Sequence, residues 1–96
     1  MSSSKAVRRI AIVGTGVIGA SWAAYYLAHG FDVVATDPGP GAEVSLRAYV
    51  RDAWDLLTVV GLAAGASTER LTFASSLQEA LSGVDFVQEN LSLIHI

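Results

Sequence analysis

Six residues, Gly14-Thr15-Gly16-Val17-Ile18-Gly19, constrain this chain more than any others, because they match G-x-G-x-x-G and stand where that pattern acquires meaning. An apolar run, Ile10-Ala11-Ile12-Val13, leads into them, and a helical stretch beginning at Val17 leads out. Glycines are common, and the pattern alone carries little. A strand before it, a helix after it and an acid about twenty positions on, here Asp37, make it the fingerprint of a dinucleotide-binding turn. Gly14 permits the sharp exit from the strand. Gly16 lets backbone approach a pyrophosphate closely, and Gly19 lets the helix pack tightly on the sheet. The N–H groups of Val17 and Ile18, at the positive end of the helix dipole, face the phosphate charge.

The rest of the chain continues the strand and helix alternation. Val7 to Val13 reads as a central parallel strand, since its second half is apolar on both faces. Val17 to His29 is an apolar helix with Ala, Trp and Leu facing the sheet, stopped by Gly30 in the left-handed position. Phe31 to Asp37 is the next strand and completes a βαβ unit with a right-handed crossover. Pro38-Gly39-Pro40-Gly41 breaks it. From Ala42 to Val60, the spacing of Leu46, Val50, Ala53, Trp54 and Leu57 marks a long amphipathic helix, ended by Gly61 and Gly65. Leu71 to Ala74 is a short strand, Ser76-Leu77-Gln78-Glu79 is a capping box opening a short helix to Ser82, and Val84 to Gln88 is a fourth strand. This order predicts an α/β fold, a Rossmann-type doubly wound parallel sheet truncated after its fourth strand.

Asp37 ends the second strand, where its two oxygens can accept hydrogen bonds from both hydroxyls of an adenosine ribose. A 2′-phosphate would meet the carboxylate as a like charge, and Pro38 to Ala42 offer no Arg or Lys to receive it, so NAD is favoured over NADP. The plainer reading of Asp37 is an Asp-Pro turn opener, which suits the same position. His29 reads as a surface cap on the helix end. Trp22, Tyr25, Tyr26 and Trp54 read as packing residues, and Glu89 stands where the sheet opens towards a ligand.

Composition supports a packed protein and removes several partners. Hydrophobic residues make up 52% of the chain and charged ones 16%, the reverse of a disordered balance. A net charge of −3 leaves no basic stripe for nucleic acid, and the apolar run before the glycines is too short to span a membrane. The absence of cysteine removes a thiolate nucleophile and is compatible with a cytoplasmic location. No His/Cys/Asp/Glu cluster has metal-ligand spacing.

Ile10 to Asp37, with Gly14-Thr15-Gly16-Val17-Ile18-Gly19-Ala20-Ser21-Trp22-Ala23, resembles the NAD-binding domain of 3-hydroxyacyl-CoA dehydrogenases, nearest the branch that holds L-carnitine and lambda-crystallin-like L-gulonate dehydrogenases. Leu71-Thr72-Phe73, Leu77-Gln78-Glu79-Ala80 and Phe86-Val87-Gln88-Glu89-Asn90 continue the resemblance, and the Gln-Glu pair is its most discriminating feature. The resemblance implies reversible oxidation of a secondary alcohol in a 3-hydroxy acid or 3-hydroxyacyl-CoA, with hydride passing to NAD, by a full-length parent that is a homodimer. The family's catalytic histidine, its glutamate partner and the assisting serine and asparagine match no position here, so the catalytic set from this sequence is none. Two alternatives stand beside this reading: a flavoprotein holding FAD on the same turn, and a non-catalytic NAD-binding or structural module.

Residues 1–5 read as a polar leader and 6–90 as a partial NAD-binding domain. Leu91 to Ile96 continues no earlier pattern and resembles the translation of an adapter used in DNA library preparation, against the alternative of an apolar strand end. The expectation is therefore an incomplete domain, aggregation-prone and without turnover when alone.

Overall fold

The computed structural model describes residues 7–90; the expected leader and the apolar tail lie outside the described residues. β1, Arg9–Val13, is buried on both faces from Ile10 onward, as a central strand of a parallel sheet covered on both sides is. α1, Val17–Ala28, returns the chain to β2, Asp32–Thr36, which lies parallel to β1 with Ile10 opposite Val33 and Ile12 opposite Ala35. α2, Ala42–Val60, leads through a 3-10 turn at Thr68–Arg70 to β3, Leu71–Phe73, on the outer side of β2. α3, Leu77–Leu81, then carries the chain to β4, Phe86–Glu89, which pairs with β1 on its other side. The sheet order is β3-β2-β1-β4, every pair parallel, as expected for a doubly wound sheet.

Two apolar layers hold the sheet. Ile10, Ile12, Val33, Ala35 and Leu71 form one face, under Ala20, Ala23, Ala24 and Leu27 of α1 and Leu46 and Val50 of α2. Ala11, Val34 and Ala74 form the other, with Ala80 of α3 and Val84 packed against it. Burying a side chain such as Ile12 or Leu27 contributes about 1.5–3 kcal/mol. The second layer is thinner, and β4 leaves Phe86 and Val87 exposed.

The expected elements form with shifted ends. β1 starts at Arg9 rather than Val7, and Val7 is exposed. β4 starts at Phe86 rather than Val84; just before it the Asp85 carboxylate accepts the backbone N–H groups of Arg8 and Arg9 at 2.9 and 3.0 Å, while the Asp85 N–H donates to the Arg9 carbonyl at 2.8 Å. The 3-10 turn had no counterpart in the sequence reading; Ser67 caps it by accepting the N–H of Glu69. Trp22 does not face the sheet as expected. It lies on the outer flank of α1, stacked with Tyr26 at 5.5 Å and edge-on to Tyr25 at 5.8 Å. α1 is apolar all round, so period gives no direction; the close approach of helix to sheet admits only Gly19, the alanines and Leu27 underneath. Tyr26 and Trp54 do pack against the core. His29 caps α1, its Nδ1 lying 2.8 Å from the Tyr25 carbonyl.

Candidate cofactor site

The chain moves from β1 outward to β2 and β3, then crosses to β4 on the opposite side of β1. Ligands of open parallel sheets bind outside the carboxyl ends of the strands at such a reversal, where neighbouring loops diverge and leave a crevice. The turn from Gly14 to Gly19 occupies that position, beside the end of β4.

The three glycines there do different things. Gly14 has φ +93°, a left-handed conformation that strains any residue with a Cβ, and its N–H donates to the Thr36 carbonyl at 2.9 Å. A Cβ on Gly19 would lie 1.9 Å from the Gly14 carbonyl oxygen and 3.3 Å from Nδ2 of Asn90. These two are required by the fold. Gly16 is not: its φ of −66° suits any residue, and a Cβ there would meet nothing within 4 Å. That open space above a bare backbone is where a phosphate can approach.

α1 begins at Gly16, which supplies no side-chain cap, and its first turn holds no acid. Val17 and Ile18 are 74% and 66% exposed at this end. The positive end of the dipole is thus left for an anion from outside the chain. The other helix starts differ. α2 carries Glu43 in its first turn, and the Ser76 hydroxyl caps α3 by accepting the N–H of Glu79 at 3.0 Å.

Asp37 faces this turn from the end of β2. Its Oδ2 accepts the N–H of Thr15 at 2.7 Å, and its Oδ1 accepts the N–H of Gly39 at 2.8 Å. The Thr15 N–H holds the carboxyl below its usual range, with the Gly39 N–H adding to the effect and partial burial opposing it. The geometry of a turn opener is therefore present, through Gly39, yet the carboxylate remains half-buried and directed to the glycine turn. Turn formation and ligand binding are compatible roles for it.

Two residues escaped the sequence reading. Thr15 is buried within the motif, and its Oγ1 has no hydrogen-bond partner among the described residues. Asn90 follows β4 and stands against Gly19; its Nδ2 donates to the Gln88 carbonyl at 3.3 Å, while the Gln88 side chain meets the Tyr26 hydroxyl at 3.4 Å. Burial, and secondarily the neighbouring Tyr25, push the Tyr26 hydroxyl upward. Asn90 was discoverable, since it directly follows a strand at the sheet reversal. Glu89 is exposed beside it, opposite Val13.

A groove of 440 Å³ between α2 and β3, floored by Val50, Trp54 and Leu71, contains none of these residues. The glycine turn is the better candidate, because an uncapped helix start, a fixed carboxylate and a hydroxyl unpaired among the described residues lie together there. Among the described residues no group of His, Cys, Asp and Glu is placed to hold a metal ion, and no helix is long and apolar enough to cross a membrane.

Residues 9–92 match the model of the 3-hydroxyacyl-CoA dehydrogenase NAD binding domain. The L-carnitine dehydrogenase of Streptomyces coelicolor is 52% identical over 90 residues, which cover 94% of this chain and 28% of that protein. Among solved structures, a 5-formyl-3-hydroxy-2-methylpyridine 4-carboxylic acid 5-dehydrogenase, described as an NAD+-dependent dismutase, superposes with a TM-score of 0.78 at 32% identity, covering 92% of this chain and 29% of its own. The 3-hydroxybutyryl-CoA dehydrogenase of Escherichia coli superposes at 0.77 with 25% identity, covering 93% and 20%. The chain thus spans under a third of the length of the proteins it matches. It belongs to the 3-hydroxyacyl-CoA dehydrogenase family, as an NAD-binding domain of that family.

Proposed function

We propose that the domain holds NAD across the carboxyl ends of β1, β2 and β4, and serves a full-length enzyme that oxidises the CH–OH group of a 3-hydroxy acid or 3-hydroxyacyl-CoA. The observation that carries this reading is the pairing of an uncapped, acid-free helix start with a carboxylate fixed by two backbone N–H groups. Gly14, Gly16 and Gly19 shape the turn, the N–H groups of Val17 and Ile18 receive the pyrophosphate, and Asp37 receives the adenosine ribose. Bound NAD supplies the hydride acceptor. The chain's own residues bind and orient, and Asp37 repels a 2′-phosphate as a like charge.

L-Carnitine is the substrate this reading favours within the class, supported by the identity to dehydrogenases of that name. The base and the substrate pocket belong to parts of the full-length enzyme beyond this domain, and a cytoplasmic homodimer is part of the same proposal. The deciding experiment is Asp37→Ala in an enzyme of full family length. NAD binding weakens by about 1–3 kcal/mol, the value of charge-assisted hydrogen bonds to the ribose, and the margin over NADP narrows. An unchanged cofactor preference reduces Asp37 to a turn residue and refutes the ribose assignment.

A further inference from the structure

Buried hydroxyls are nearly always paired, and an exception calls for a cause. Thr36 obeys: its Oγ1 donates to the Ala74 carbonyl at 3.1 Å. Thr15 does not. It is 6% exposed, and its Oγ1 stands without a partner among the described residues. The fold carries that hydroxyl at a cost, since a valine of the same shape would fill the space without a polar atom.

The surroundings say what the hydroxyl is kept for. Thr15 precedes the open space over Gly16, and its own N–H makes the 2.7 Å bond to Asp37 Oδ2. The Asp37 carboxylate is thereby pinned at both oxygens by backbone donors, Thr15 on the turn side and Gly39 on the loop side. The Thr15 hydroxyl stands close enough to add a weaker pull in the same direction, without meeting hydrogen-bond geometry.

We propose that Thr15 is the positioning residue of the ribose site: its hydroxyl, unpaired in the free domain, closes on the Asp37 carboxylate when the ribose diol binds, fixing that carboxylate's orientation and with it the preference for NAD over the 2′-phosphorylated form. This rests on the reading of Asp37 as the ribose acceptor. A carboxylate moving towards a diol loosens its backbone contacts, and a neighbouring hydroxyl compensates because it can rotate where an N–H cannot. The unpaired group is thus a donor held in reserve, with its cost borne by the free state and recovered in the complex.

The test compares Thr15→Val, Thr15→Ser and Asp37→Ala in an enzyme of full family length, measuring unfolding midpoint, NAD and NADP affinity, and the acid limb of NAD binding. Thr15→Val leaves the midpoint unchanged or raises it, yet weakens NAD about ten- to a hundredfold, the worth of one hydrogen bond to a charged group. NADP affinity stays, so the preference narrows by the same factor, and the acid limb moves to higher pH because Asp37 loses the weaker pull of the nearby hydroxyl. Thr15→Ser restores all three. If Thr15→Val keeps NAD affinity, preference and acid limb while Asp37→Ala loses NAD, the hydroxyl is a packing defect and the proposal is overturned. A lowered midpoint with parallel loss of both cofactors, unrescued by Ser, marks a structural residue and overturns it equally. An Asp37→Ala without effect removes the ribose assignment first, and this inference with it.

Discussion

The turns that leave β1 and β3 do the same topological work and are built in opposite ways. After β3, Ser76 accepts the Glu79 N–H, and Glu79 reaches back to both the N–H and the hydroxyl of Ser75, at 2.9 and 3.0 Å. That return bond goes to Ser75 rather than to Ser76, as a strict capping box would have it, yet the turn satisfies its own donors. After β1 there is no side-chain cap, no first-turn acid and, among the described residues, no partner for the Thr15 hydroxyl. Self-sufficiency at one strand end and deficiency at another, within one sheet, set a connection that satisfies itself apart from the one proposed to bind. Buried polar groups left wanting are few in native proteins, and each calls for a cause.

The sharpest break of this contrast is Gly19→Ala. The added methyl would fall 1.9 Å from a carbonyl oxygen, so the helix must leave the sheet; a stability loss of about 3 kcal/mol or more in denaturant unfolding, together with loss of NAD binding, is expected. A stable Gly19→Ala protein would show that α1 does not pack as described. Gly16→Ala sharpens the same comparison, because there the methyl meets only open space. NAD affinity should fall about tenfold or more, roughly 1.4 kcal/mol, while stability changes by less than about 1 kcal/mol. Calorimetric titration beside thermal melts checks both, and equal losses in the two would erase the distinction between Gly16 and Gly19.

Ser76→Ala is the mirror experiment on the self-sufficient turn. It removes a cap and should cost about 1 kcal/mol of stability with NAD affinity intact, as urea unfolding and titration would report. Any selective loss of NAD binding would place that turn in the site. The smallest effect concerns pH. Because Asp37 is held low, the contribution of its charged form is fully present above the unfolded value of about 3.9 and is lost only as pH falls through the lower folded value. NAD affinity measured from pH 8 to 5 should therefore show no transition from Asp37; weakening that sets in near pH 5 and vanishes in Asp37→Ala would contradict the hydrogen bonding seen at its two oxygens.

Where the sequence was legible, it was so because one residue type could meet a local demand. The bounds of α2 were readable from Leu46, Val50 and Leu57 and from Gly61, and Gly30 ended α1 with its positive φ. The direction of α1 was not, since Trp22 and Ala23 are both apolar and only the closeness of the sheet separates them. Within the candidate site, the glycines and Asp37 were singled out by spacing, and the structure brings them together at one strand end. Thr15 was hidden because an x position in a motif carries no constraint, and its significance lies in a bond that it does not make. Asn90 could be placed at the sheet reversal from its position after β4, but its contact with Gly19 could not, since that residue is remote in sequence and near only once β4 has paired with β1.

That pairing has a kinetic consequence. β1 and β2 meet across a single crossover helix, whereas the Asp85 carboxylate binds the Arg8 N–H across 77 residues, and closing the longer loop costs more chain entropy. The βαβ unit can therefore assemble early, with β4 joining it later. Gly14 reaches Thr36 in the early unit, but Asn90 backs Gly19 only after the late step. Pulse-labelled amides of β1 and β2 would gain protection before those of β4, and the capacity to hold a dinucleotide would follow the slower phase: the cofactor is a ligand for the sheet once β4 has paired with β1, and its binding reports that this strand has docked.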